Sequence, residues 1–265
     1  MTTTGTKMMT LYDMSPDVVA FSTTRHGGVS EGNYSSFNIN NYCGDDPTAI
    51  AENQRLLCER LGIERDRLIY PHQTHRTNIL HVDKAFLSLS PSERQLALED
   101  VDALVTDVPN VCVGVSTADC IPIIIYDPDH HAVATVHAGW RGTVARIAEK
   151  AVAAMRNTFA SQPEKMCAVI GPGISLQNFE VGDEVYDAFV KQGFSMEKIA
   201  ERFQKWHIDL SLCNSLQLQS CGIAEEKIQM SGICTYDSCH DYFSARRLGI
   251  NSGRIFTGAM VHVEH

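Results

Sequence analysis

The sequence predicts an α+β layered sandwich. Short runs rich in β-branched residues are interleaved with apolar stripes at helical spacing, and some runs follow one another directly as hairpins. The regular strand–helix alternation of a Rossmann or TIM fold is missing, so mixed sheets are expected.

In chain order, strands are predicted over 18–22, 68–70, 79–82, 103–106, 112–116, 121–126, 132–137, 167–170, 179–181, 229–231 and 258–263. A helix over 47–61 follows Gly-Asp-Asp-Pro, with the acidic residues and proline that a helix N-terminus prefers. Over 143–158, Val144, Ile147, Ala148, Ala151, Val152 and Met155 fall on one stripe. Shorter helices over 184–191 and 210–220 have Gly193 and Gly222 as C-terminal stops. Residues 88–95 and 161–165 read as surface loops, and residues 1–14 as a flexible or peripheral segment. With no repeat, low-complexity tract or linker, a single domain over 1–265 is expected.

Composition narrows the function. Hydrophobic residues make up 44% and charged residues 20%, ordinary values for a globular chain. The net charge is -10 with no basic block, which argues against nucleic-acid binding. No apolar run approaches the roughly 20 residues that span a bilayer, so no membrane association is expected. The N-terminus lacks a charged n-region followed by an apolar h-region, which predicts a cytoplasmic protein. The nine cysteines are odd in number and scattered, so reduced thiols are expected, most of them small buried hydrophobes. Nothing in the sequence fixes the oligomeric state, and a monomer is the working expectation.

The chemistry concentrates in "ADCIPIIIYDPDHHAVATVHAGWRGT", residues 118–143. Its two apolar runs form a predicted hairpin with Cys120 and His137 at the outer ends. A four-residue loop pairs Tyr126 with His131 and so Cys120 with His137, on one face and about 5 Å apart at Cβ. A five-residue loop turns the two to opposite faces. Thiolate and imidazole together suit zinc with one further ligand and an open fourth position. Equally, His137 could deprotonate Cys120 as a nucleophile. A buried cysteine beside a hydrogen-bonded core histidine is the structural alternative.

His75, in "PHQTH", is a third donor, placed by Pro71, Gln73 and Thr74 in a loop or strand edge. After His137 comes "AGWRGT", two glycines before an amphipathic helix. Helix N-termini favour anions, and Arg141 adds a full charge. A phosphate beside a metal is one reading; a tight glycine turn is the other.

The blocks "TTRHGGVSEGNYSSFNIN", "DDPTAIAENQRLL", "PHQTH", "DVDALVTD", "ADCIPIIIYD", "HAGWRGT", "GPGISLQNFEVGDEV" and "YFSARRLGINSGR" closely resemble a bacterial family once called multi-copper polyphenol oxidase (laccase). That family is now described as zinc-dependent purine nucleoside phosphorylases and also as peptidoglycan editing factors, with a related protein in human macrophages. The resemblance runs from about residue 15 to the C-terminus. It implies an α/β/β/α sandwich resembling the cysteine-hydrolase-like fold. It also implies His75, Cys120 and His137 as metal ligands, with zinc as the cofactor and copper as a substitute. Arg25, Asn38 and Gln73 fall at its substrate positions, and Cys120, His137 and Arg141 at its catalytic positions. The chain departs from the family in one place: Ser175, Leu176, Gln177 and Asn178 stand where cysteines are frequent.

The implied activity is phosphorolysis of purine nucleosides of the adenosine, inosine and methylthioadenosine class, with phosphate as second substrate. Adenosine deamination is a further activity of the family. Asp119, next to Cys120, is expected to brace a ligand as an acceptor. Rival readings are a metal-free Cys–His hydrolase acting in cell-wall peptide editing, and a copper-dependent polyphenol oxidase (laccase). The chain lacks the His-x-His pairs of blue-copper oxidases. "HVEH" at 262–265 gives the H-x-E half of a deaminase signature without P-C-x-x-C, and reads as a C-terminal strand. "CTYDSCH" at 234–240 reads as buried or loop thiols.

Overall fold

The computed structural model describes residues 7–262. The first elements are β1 (Met9–Tyr12), β2 (Val18–Thr23), α1 (Pro47–Leu61), β3 (Leu68–Ile69), β4 (Asn78–His81), α2 (Lys84–Ser88) and α3 (Pro91–Ala97). The central strands β5 (Val101–Thr106), β6 (Cys112–Thr117), β7 (Ile121–Asp127) and β8 (Ala132–Ala138) follow, then α4 (Trp140–Val144) and α5 (Ile147–Phe159). The last third holds β9 (Cys167–Ile170), β10 (Glu180–Val181), α6 (Asp183–Lys191), α7 (Met196–Ile199), β11 (Ala200–Arg202) and β12 (Trp206–Ile208). It closes with α8 (Leu210–Ser220), β13 (Ile228–Met230), α9 (Ala245–Leu248) and β14 (Ile255–Val261).

Two mixed sheets stack face to face. One runs β1-β2-β14-β6-β3 and the other β13-β9-β7-β8-β5-β4, while β10-β12-β11 form a small separate sheet. Strands β5 to β8 are buried at every position, because each sheet is covered on both faces. Such strands read as apolar runs rather than alternating patterns. Between the sheets, Leu104, Ile124, Tyr126 and Val133 meet Ala20, Val113, Ala259 and Val261. Ile123, Ile125, Ala134 and Val136 on the other face of β7 and β8 carry α5 and α8. Phe21, Phe256 and Met260 carry α1 through Leu57 and Cys58. The layers are therefore α/β/β/α.

Helix α1 has the predicted bounds, capped by Asp46, which accepts from Thr48 N and Ala49 N, and stopped by Gly62 in the left-handed region. Two expectations need correction. The helix predicted over 143–158 is two helices, broken at Arg146, whose φ is 59°. The Thr143 carbonyl, which a continuous helix would offer to residue 147, accepts from Arg146 N and Gln217 Nε2 instead. Part of the loop read over 88–95 is helical: Ser90 and Glu93 form a capping box ahead of α3. Within the segment read as flexible or peripheral, Met9–Tyr12 pairs as the edge strand with β2. The final strand starts at Ile255; Val263 and the rest of "HVEH" after His262 lie outside the described residues. No described helix is long and apolar enough to cross a membrane.

Candidate active site

The β7–β8 hairpin takes neither predicted register. Pro122 pairs with His137, and Asp127 with Ala132, leaving a four-residue turn placed one position later than expected. A slip of two between partners preserves the face on which each side chain lies. Cys120 and His137 thus remain on one side as a diagonal pair, with Cys120 just beyond the start of β7.

His75 joins them from the loop before β4. Among the described residues, His75, Cys120 and His137 form the one cluster of metal-ligating side chains, with their ligand atoms within 4.8 Å of one another. Cys120 Sγ lies 3.8 Å from His75 Nε2. The two imidazoles meet edge to face, ring centroids 4.8 Å apart. Burial grades from exposed His75 through Cys120 to buried His137, so the cluster opens to solvent on the His75 side.

Asp102 in β5 organises this arrangement, although the sequence reading assigned it no role. It is fully buried. Its Oδ1 accepts from His137 Nδ1 at 2.7 Å and from His75 N at 3.0 Å. Its Oδ2 accepts from Arg76 N at 2.8 Å and Thr74 N at 3.3 Å. Burial alone would raise the Asp102 carboxyl, but His137 and the backbone N–H groups hold it below its ordinary value. The signal was legible: a lone acid inside the apolar run Val101–Thr106 needs buried partners. Asp119, expected to brace a ligand, bonds elsewhere. Its carboxylate accepts from Thr235 Oγ1 at 2.7 Å and Arg246 N at 2.6 Å, tying a later loop and α9 to the residue before Cys120.

Once His137 is neutral, donation of its Nδ1–H to Asp102 leaves Nε2 as the lone-pair nitrogen. Burial by itself raises the Cys120 thiol, yet the neighbouring His137 charge and hydrogen bonds from both histidines outweigh it and pull the thiol to about 6. Burial likewise lowers His137, while the Cys120 thiolate and the Asp102 hydrogen bond raise it to about 9. Two imidazole nitrogens and a thiolate suit zinc or a similar borderline cation. Gly139 makes the space: a Cβ there would lie 2.9 Å from His75 Cδ2 and 3.0 Å from Cys120 Sγ.

The three side chains line a cleft of about 180 Å³ with Tyr42, Gln73, Thr117, Ile250 and Arg254. A larger groove of about 770 Å³ runs beside Tyr42, Arg65 and Arg94. Its arginines are bound to Gln54, Tyr70 and backbone carbonyls, and it holds no comparable donor cluster, so the chemistry belongs to the smaller cleft.

Of the residues expected at substrate, Gln73 stands in the cleft wall, its amide paired both ways with the Ser116 backbone at 2.8 and 2.7 Å. Arg25 does not line the cleft; it donates to the carbonyls of Ser35 and Cys239 and lies over Phe243. Asn38 is fully buried behind the wall, bonded to Asp45 and the Arg254 backbone. Arg141 is exposed on α4 with its guanidinium 4.3 Å above the Trp140 ring, outside the cleft. Arg254, which the sequence reading did not single out, is the arginine that lines it.

The sequence profile of the family described as multi-copper polyphenol oxidoreductase laccase matches residues 19–262. The chain belongs to that family. It is 48% identical over 245 residues to a protein of Bacteroides thetaiotaomicron named purine nucleoside phosphorylase, covering 91% of each chain. It is 43% identical to adenosine deaminase RL5 of an unknown prokaryotic organism, over 91% of this chain and 93% of that one. The fold matches the crystal structure of the Bacillus licheniformis hypothetical protein YfiH, with a TM-score of 0.91, 29% identity and 97% of both chains covered. This family member is thus a mixed α+β protein of the YfiH type with a candidate His-Cys-His metal site.

Proposed function

We propose that the cleft is a zinc centre for purine nucleoside phosphorolysis, with adenosine, inosine and methylthioadenosine as the substrate class. The observation that carries this reading is the convergence of His75, Cys120 and His137 within 4.8 Å, with a buried carboxylate setting the tautomer of His137. The name of the 48% identical relative supports the reaction class.

Zinc held by these three residues would supply Lewis-acid polarisation of the substrate. The chain's own groups do the rest. Phosphate oxygen forms a bond to C1′ of the sugar as the glycosidic bond breaks, and the purine departs with the electron pair and takes up the proton that hydrogen phosphate gives up on becoming the sugar ester. Arg254 in the cleft wall supplies positive charge for the phosphate. Gln73, locked to the Ser116 backbone, keeps that wall rigid. Burial of His137 and Asp102 limits water at the inner end. Zinc-loaded protein incubated with inosine and phosphate should yield ribose 1-phosphate and hypoxanthine. Hypoxanthine released equally well without phosphate would replace phosphorolysis with hydrolysis. Adenosine converted to inosine in the same assay would add the activity named for the 43% identical relative.

A metal-free thiol hydrolase is the second reading, favoured by the Cys120–His137–Asp102 series and the lowered thiol. His75 weighs against it, because a thiol nucleophile needs no second imidazole 3.8 Å from sulfur. Hydrolysis that survives chelation would establish it.

A further inference from the structure

We propose that Asp102 is the positioning residue that joins the two histidine ligands into one preformed unit. The inference rests on the metal reading of the cleft and adds what holds its donors in place. A single oxygen, Oδ1, accepts from the ring Nδ1 of His137 and from the backbone N of His75. The second oxygen accepts from Thr74 N and Arg76 N, so three successive N–H groups converge on one carboxylate. His75 itself sits in the left-handed region with φ 62°, a conformation that a non-glycine residue keeps only when its surroundings hold it. Asp102 supplies that hold for one ligand and fixes ring orientation and tautomer for the other. The distance between the histidine donors is therefore set through one atom. Neighbours of metal ligands that act in this way typically change metal affinity by about 10–100-fold when replaced.

In Asp102→Asn, one of the two oxygens becomes an NH₂ group facing N–H donors, and the cluster loses an acceptor. Asp102→Glu keeps the charge but moves the carboxylate in a fully buried site. Zinc affinity, measured by chelator competition, is expected to fall about 10–100-fold in both variants, and the absorption bands of the cobalt-substituted protein should shift. Equal affinity and unchanged cobalt bands in folded Asp102→Asn would overturn the proposal. Should neither variant fold, nitrogen NMR of histidine-labelled wild-type protein loaded with zinc decides. A proton on His137 Nδ1 with Nε2 metal-bound supports the clamp, and a proton on Nε2 overturns it. Wild-type protein that binds neither zinc nor cobalt stoichiometrically would refute the metal reading and the clamp together.

Discussion

Nε2 of His75 and Sγ of Cys120 lie 3.8 Å apart, and neither residue belongs to a helix or strand. Left-handed backbone occurs at His75 itself and at Asp119, immediately before Cys120, with φ of 62° and 87°. Each such residue costs on the order of 1–3 kcal/mol and persists because its surroundings fix it. Here the fixing groups are the Asp102 and Asp119 carboxylates, not the sulfur. Cys120→Ala should therefore fold with a melting temperature within a few degrees of the metal-free parent. Its zinc content and turnover should both fall by more than about a hundredfold, since one of three donors is gone. Metal analysis beside steady-state kinetics checks this, and full zinc occupancy with normal turnover would refute the ligand role.

Two glycines on either side of Arg141 make a matched pair. A methyl group at residue 139 meets His75 and Cys120 at 2.9 and 3.0 Å, whereas at residue 142 its nearest neighbour is Ile147 Cγ2 at 3.4 Å. Gly139→Ala should cost about 1–3 kcal/mol from overpacking and weaken zinc binding at least tenfold, on the order expected when ligand support is disturbed. Gly142→Ala, inside α4, should be neutral or stabilising by up to about 1 kcal/mol. Denaturant unfolding and chelator titration of both variants separate a crowded donor site from general sensitivity of the turn.

Much of this site was legible because its donors are flanked by strong local signals. Strands β7 and β8 were visible as apolar runs, and their two-fold periodicity preserved the facing of Cys120 and His137 even though the register was misplaced. The misplacement has a local cause. Asp127 stays in the strand and its carboxylate accepts from Asp129 N at 3.0 Å and His130 Nδ1 at 2.7 Å, which moves the turn one residue onward. The Ser90–Glu93 capping box is legible in the Ser-x-x-Glu spacing. Strands β1, β11 and β12 were not readable, because each is three or four residues long and carries exposed or half-buried positions. Arg25, Asn38 and Arg141 show the opposite limit: a motif position gives the residue, but only the packed loops decide whether its side chain faces the cleft.

The thiol and imidazole make metal binding depend on pH with a definite sign. In metal-free protein, Cys120 is pulled down to about 6 and His137 pushed up to about 9. Between those values the thiolate is already formed, while His137 must lose a proton to bind metal. Zinc affinity should therefore rise with pH through this window, and more steeply below about 6, where the thiol also competes for its proton. Alkylation of Cys120 in metal-free protein should fall off near pH 6 rather than near the ordinary thiol value. An alkylation midpoint at an ordinary thiol pKa would show that His137 does not stabilise the thiolate.

On the proposed phosphorolysis, Arg254 and Arg141 make competing claims to the phosphate. Arg254 lines the cleft, its guanidinium held by the Ile250 and Gly253 carbonyls at 2.9 and 3.1 Å and its backbone N bonded to Asn38 Oδ1. Arg141 lies exposed over Trp140 on a five-residue helix, and the long helix expected to present its N-terminus begins only at Ile147. Lysine keeps the charge but loses the planar fork, so Arg254→Lys should raise KM for phosphate by about tenfold, roughly the weight of one charge-assisted hydrogen bond. KM for the nucleoside should change much less. Arg141→Ala should change phosphate KM less than about threefold, as expected for an exposed cation screened by solvent. Initial rates with phosphate and nucleoside varied in turn resolve the two claims. A large phosphate effect in Arg141→Ala with none in Arg254→Lys would move the anion from the cleft wall to α4.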